Sequence, residues 1–336
     1  AIDPLELIEK YGADPLRFTL LTSGTPGNDI NLDEDRVEAN WKFVNKIWQM
    51  SSFVISNLEG NLPTGLPRAI ELDLPSKWIL SRLNKLVANV QHLFDIHQYG
   101  EGGRNTYEFL WNEFADWYVE ISKAALYGDD AAAKERTRRV LLHVIQTGLK
   151  LLHPFMPFVT EEIWSYLPAQ AKPLIISDWP ISESAYVDEN AENAMNVLID
   201  LVRGIRNVRA EYNVDPSRRI ATVFAPGSQR NNLDAHRFLF ARLCNVNEVT
   251  LLEAGAAAPD QAATVVISDV TAYLPLAGLV DTAAECDRLT KEGSKLAEQI
   301  AKSQAMLGNE QFVSRARPDV VERERQKLAD LQASAA

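Results

Sequence analysis

The sequence predicts a mainly α protein made of an antiparallel helical bundle, a small α+β subdomain and a C-terminal coiled-coil hairpin. Three observations carry that expectation. Apolar residues recur at three- to four-residue steps in four long segments separated by Gly or Pro breaks, strand-like runs fall only between residues 220 and 267, and coiled-coil spacing begins after residue 281. The chain has 336 residues, of which 46% are hydrophobic and 24% charged, enough to bury a core and to form about two compact units.

The elements follow in order. Asp3-Pro4 and Asp14-Pro15 each set an N-cap carboxylate before a proline suited to the first helical position, and Gly12 falls where the first helix should stop, so two short helices open the chain. From Asp33 to Leu58, the residues Val37, Trp41, Val44, Trp48, Ile55 and Leu58 mark a long amphipathic helix, ended by Gly60, Pro63, Gly65 and Pro67. The same spacing returns at Trp78, Leu83, Leu86, Val90 and Phe94, at Tyr107, Leu110, Phe114, Trp117 and Ile121, and at Val140, Val144 and Leu151. Trp41, Trp48, Trp78, Trp111, Trp117 and Trp164 are expected in the core of these stripes. Pro154 and Pro157 interrupt the fourth helix, and Thr160-Glu161-Glu162 opens a short one through Leu167. Pro168, Pro173 and Pro180 mark residues 168–190 as a linker. Beyond it a helix from about Glu192 to Tyr212 precedes a strand Ile220–Phe224, a helix near Leu233 to Leu243, and strands around Val249 and Val265. Leu289, Leu296, Ile300 and Leu307 then follow 7, 4 and 7 residue steps, Gly308-Asn309 and Pro318 bound a turn, and Val321, Leu328 and Leu331 give a return helix. The expected domains are 1–31, 32–168, 169–280 and 281–336.

Composition excludes several chemistries. The longest apolar runs, such as Ala262 to Ile267, are far shorter than the roughly 18 residues of a membrane span. Cys244 and Cys286 lie 42 positions apart without a Cys-x-x-Cys partner, so neither a zinc site nor a disulfide framework is expected, and a reduced cytoplasmic setting fits. Ala1 is not an initiator Met, so a piece of a longer chain is expected. His92, His97, His143, His153 and His236 form no His-Glu-x-x-His pair and read as core or cap residues. Thr22 to Gly27 is a turn rather than a phosphate loop, and Asp33, Glu34 and Asp35 suit a helix start better than acid–base work. The formal charge of −12 opposes indiscriminate nucleic-acid binding, but three windows run against it. Residues 36–56 carry Arg36, Lys42 and Lys46 against Glu38; 134–153 carry Lys134, Arg136, Arg138, Arg139 and Lys150 against Glu135; 203–219 carry Arg203, Arg206, Arg209, Arg218 and Arg219 against Glu211 and Asp215. Such windows are either solvated helix faces or tracks for a phosphate backbone with aromatics beside it.

Several runs are sharper. Ile2-Asp3-Pro4-Leu5-Glu6, Lys10 to Phe18, Asn45-Lys46-Ile47-Trp48, Glu113 to Tyr118, Leu152 to Trp164 and Ile205 to Glu211 resemble the class I aminoacyl-tRNA synthetases for branched aliphatic amino acids, and the resemblance covers essentially the whole chain. Asn309-Glu310-Gln311-Phe312-Val313, followed by Ala316, Pro318, Val320-Val321, Glu324-Arg325 and Lys327-Leu328, is similar to the C-terminal arm of the valine-specific members; isoleucine- and leucine-specific members, or a non-catalytic helical interaction module, are the alternatives. The family's His-Ile-Gly-His and Lys-Met-Ser-Lys-Ser motifs do not occur here. The resemblance therefore implies a C-terminal part, inactive alone, with no catalytic residue, metal or cofactor of its own; ATP with Mg would act in the catalytic half. It implies tRNA(Val) as partner, with no DNA or membrane, in a monomer. The first bundle helix would reach the anticodon loop through Asn45, Lys46 and Phe53, with Arg36 and Lys42 on phosphates, and Asp35 departs from a basic face there. Phe53 is equally placed for stacking or for the core. In the arm, Lys291, Lys295, Lys302, Arg315 and Arg317 would meet tRNA phosphates or flank the seam as salt bridges.

Overall fold

The computed structural model describes residues 3–24, 32–58, 65–168, 172–275 and 282–308, together with positions 321, 323, 326 and 328. The chain divides into two compact units: 1–204 with 226–244 and 266–270, and 205–225 with 245–265 and 271–336.

The first unit is the bundle. Helix α1 (Pro4–Tyr11) starts where Asp3 accepts the N–H of Leu5 at 2.8 Å and stops at Gly12, whose φ of 89° suits a residue without Cβ. Helix α2 (Ala13–Thr22) departs from expectation at Asp14. It is not the N-cap of its own helix, a position held by Gly12; Asp14 lies in the first turn, 5% exposed, and accepts the N–H groups of Phe158 at 3.3 Å and Val159 at 2.7 Å. Those two donors open helix α8 (Pro157–Ser165), which has no side-chain cap of its own. Orphan N–H groups of one helix are thus satisfied from another. Pro157, the first residue of α8, starts that helix earlier than the Thr160 expected.

Helix α3 (Glu34–Ser56) is capped by Asp33 through the N–H of Asp35 at 3.1 Å. It buries Phe43, Ile47, Met50 and Val54, while Val37 joins Leu7 and Leu16 in a small cluster at the helix start. Helix α4 (Leu74–Asp95) and helix α5 (Tyr99–Glu108) follow. Where sequence spacing predicts one continuous α-helix, Phe109–Tyr118 is π-helical before α6 (Val119–Leu126) resumes. The wider i→i+5 turn re-aims side chains: Glu113 receives a two-pronged contact from Arg82, 2.8 Å at each oxygen, and Asp116 pairs with Lys46. Helix α7 (Ala131–Leu152), capped by Asp130, completes the bundle, whose interior includes Ile79, Leu80, Leu83, Leu110, Phe114, Leu141, Val144 and Leu149.

Residues 172–188 form a strap on the bundle. Glu161 accepts the N–H groups of Leu174 and Ile175, Asn84 receives Ser182 Oγ and Glu183 N, and Ser81 Oγ accepts the N–H of Asp188. Helix α9 (Glu189–Glu211) begins three residues earlier than its apolar pattern, and Glu192 near its start is held by Ser81 and by Lys85 at 2.9 Å. The single helix expected near Leu233 is two, α10 (Arg230–Ala235) and α11 (Arg237–Cys244), divided at His236.

The second unit contains β1 (Ile220–Ala225) and β2 (Val246–Leu251), paired in parallel, and most of β4 (Val270–Pro275), antiparallel to β1, and of β3 (Ala262–Ile267); the sheet order is β2-β1-β4-β3. Strand β4, which alternates buried and half-buried residues, is absent from the sequence reading. The arm helix α12 (Thr282–Leu307) keeps Leu296, Ile300 and Leu307 half-buried but adds Ser303, 2% exposed, to the seam. The helical residue Val321 is 7% exposed.

Candidate nucleic-acid interface

Helix α3 presents the candidate face. At 3.6 residues per turn, Lys42, Asn45, Lys46 and Phe53 fall within a sector about 100° wide. Arg36, nine residues before Asn45, lies half a turn away, so it is exposed but not on that face. Lys42 is paired with Glu38 at 2.8 Å, and this hydrogen bond raises its pKa. Asn45 is exposed and donates from Nδ2 to the carbonyl of Trp41 at 3.1 Å. Lys46 pairs with Asp116 and sits 4.3 Å from the centre of the Trp111 ring. Phe53 is half-buried, with the Lys123 ammonium 5.2 Å from its ring centre. Lys123 is also paired with Glu120 at 2.5 Å, and a partly exposed ring beside an ammonium group can stack on an unpaired base.

The acidic trio at the helix start is accounted for by local structure. Asp33 is the cap, and Glu34 accepts from Lys10 at 2.7 Å and from Tyr11 at 3.1 Å; the Lys10 bond chiefly lowers its pKa. These bonds tether α1 to α3 and leave no paired carboxylates for acid–base chemistry.

Two tryptophans expected in the core are not there. Trp41 and Trp48 are each 41% exposed, Trp111 is half-buried, and only Trp78, Trp117 and Trp164 are fully inside. The inward face of α3 follows Phe43, Ile47, Met50 and Val54, whereas Trp41 and Trp48 mark a neighbouring stripe. Trp48 meets Tyr166 edge-on, centroids 6.2 Å apart at 89°.

The other basic windows separate. In 134–153, Arg139 donates to the carbonyl of Gly65 at 2.8 Å and faces Glu135, while Lys134 and Arg136 form no ion pair among the described residues. They follow α6, and hence Lys123, across a four-residue connection. In 203–219, Arg203 is taken by Asp200 and by the Trp117 ring, and Arg209, 8% exposed, ties down the carbonyls of Asp215 and Arg218. Arg218 and Arg219 stay exposed. In the arm, Lys295 and Lys302 are exposed. Lys291 belongs to α12 with its side chain outside the described set, and Arg315 and Arg317 lie outside the described residues.

His143 and His153 take structural places, whereas His92 and His97 are exposed. Burial first, and the charge of Lys150 second, push His143 down to about 4, so it is neutral. His153 Nδ1 lies 2.8 Å from Thr160 Oγ1. Among the described residues no group of three or more His, Cys, Asp or Glu side chains could hold a metal ion, and no helix is long and apolar enough to cross a membrane. Lys123, supplied to Phe53 by α6, is the contributor that sequence reasoning missed; only helix packing brings the two together.

Comparison with known proteins gives this geometry a family. Residues 76–224 match the anticodon-binding domain of tRNA ligases, and residues 281–336 match the valyl-tRNA synthetase tRNA-binding arm. The chain is 42% identical over 335 residues to a valine–tRNA ligase of Enterococcus faecalis, 41% over 332 to one of Listeria innocua and 39% over 331 to one of Bacillus subtilis. Each alignment covers 98% of this chain, which spans 38%, 37% and 38% of the respective relatives. With agreement over nearly its full length, and with the bundle and arm in the same chain, the protein belongs to the valine–tRNA ligase family and corresponds to the C-terminal region of its members.

Proposed function

We propose that this chain is the tRNA-binding part of a valine–tRNA ligase, whose catalytic part joins valine to tRNA(Val) with ATP and Mg. The carrying observation is the succession, in one chain, of an anticodon-binding domain and a tRNA-binding arm of the valine-specific type. The bundle holds the anticodon stem and loop against α3, where Asn45 and Phe53 face the bases and Lys42, Lys46 and Lys123 supply positive charge. Lys134 and Arg136 extend that charge along α7. Lys295 and Lys302 in α12, with Lys291, Arg315 and Arg317, meet the outer corner of the tRNA. The chain alone does not aminoacylate. It acts as a monomer in the cytoplasm and has no DNA partner.

The test is binding of the 336-residue chain to tRNA(Val), tRNA(Ile) and tRNA(Val) with a changed anticodon across a salt series. Affinity falls log-linearly with salt, with a slope that scales with the phosphates contacted. The expected order is tRNA(Val) tightest, with the preference lost when the anticodon changes and Phe53→Ala weakening tRNA(Val) by about 1–3 kcal/mol. Equal binding of all three RNAs removes the bundle as an anticodon reader, and no binding at low salt removes the reading altogether.

A further inference from the structure

The exposed ridge of α3, formed by Asn45, Gln49, Ser52 and Ser56, has an aromatic on each flank. Phe53 with Lys123 stands on one side. On the other, about 140° round the helix from Phe53, Trp48 opens onto a cleft between α3 and α8. This cleft has a volume of about 240 Å³; Trp48, Ile55, Ile163 and Tyr166 make its walls, and Ser51 and Ser52 lie between them. Tyr166 is 56% exposed and is held by its hydroxyl, which donates to Glu162 at 2.8 Å. Ser51 is 1% exposed, yet its Oγ is buried with no hydrogen-bond partner among the described residues. A buried hydroxyl left unpaired is costly, and this one belongs to a residue lining a cleft otherwise walled by apolar and aromatic groups.

We propose that this cleft takes one unstacked nucleobase of the bound RNA, separate from the base that meets Phe53. The chemistry is that of a base slot. Two aromatic side chains offer π surfaces and aliphatic side chains exclude water, while Ser51 and the exposed Ser52 line the cleft between them. The cleft is smaller than the roughly 300–1,000 Å³ of pockets for drug-sized ligands, which suits one ring system rather than a stacked pair. A single strand lying over the polar ridge of α3 would put one base on each flank, so the RNA straddles the helix. The inference rests on the tRNA-binding reading above and adds a second base contact to it.

The experiment uses the whole 336-residue chain and tRNA(Val) transcript, comparing the unsubstituted protein with Tyr166→Ala and Tyr166→Phe. Affinity and the chemical reactivity of each loop base in the complex are both measured. Because Tyr166 is largely exposed, neither substitution removes core packing, and circular dichroism checks the fold. Tyr166→Ala is expected to weaken binding by about five- to a hundredfold and to restore reactivity at one loop base that the unsubstituted protein protects. Tyr166→Phe, which keeps the ring, retains both affinity and protection. Unchanged affinity and protection in Tyr166→Ala overturn the slot while leaving the tRNA-binding reading intact. Failure of the unsubstituted chain to bind tRNA overturns both.

Discussion

His143 shows how far a residue's surroundings set its chemistry. It sits in the middle of α7 and burial lowers its pKa to about 4, against an ordinary value near 6.5. The folded state therefore resists a proton that the unfolded chain accepts. For a base with a depressed folded pKa, the associated stability is complete above about pH 6.5 and is lost as pH falls towards 4, amounting to up to about 3 kcal/mol. Urea unfolding at pH 7 and pH 4.5 checks this: His143→Gln should show a shallower loss on acidification than the unsubstituted protein, and parallel losses would exclude His143 as the source. The place of His143 within the apolar spacing of α7 was legible in the sequence, whereas its depressed pKa depends on the groups packed around it. Exposure of Trp41 and Trp48 was not legible. Spacing of three and four residues places them on an apolar stripe, but which of two adjacent stripes on α3 faces the core depends on where α2, α7, α8 and the π-helical segment pack.

At the scale of elements, caps are the instructive case. Asp3, Asp33 and Asp130 cap the helices they precede, the first two as expected from the sequence. Asp14 has the same sequence signature, yet its carboxylate reaches α8, 144 residues further along the chain. Asp14→Ala should therefore destabilise the bundle by about 1–3 kcal/mol, the cost of buried donors losing a charged acceptor. Thermal unfolding measures this; a change no larger than that from substituting an exposed, unpartnered residue would refute the long-range cap. The π-helical segment Phe109–Tyr118 was also beyond reach of the sequence, since its apolar spacing fits an ordinary helix. Its pairings of Glu113 with Arg82 and of Asp116 with Lys46 explain what the wider turn accomplishes, and the second places Lys46 on the candidate face.

For the whole molecule, the net charge of −12 obscures the distribution that matters. Nine basic and nine acidic residues make the segment 285–336 neutral, so the acidic excess resides before it. If the arm meets tRNA phosphates, removing residues 281–336 lowers the slope of log affinity against log salt by an amount set by its phosphate contacts. An unchanged slope, with the shortened chain still folded by circular dichroism, would show that the arm makes none.

The sequence by itself determined the helical bundle, the starts of α1 and α3, the position of strand β1, the helical character of the arm segment and the family, because periodicity, caps and runs such as Leu152 to Trp164 are local or colinear signals. Tertiary structure decided the rest: which stripe of α3 turns inward, that Arg209 serves a turn rather than a free basic face, and that Lys123 stands over Phe53. Each of these depends on groups distant in sequence meeting across packed elements, and a side chain's neighbours, charge partners and exposure are fixed only when those elements meet.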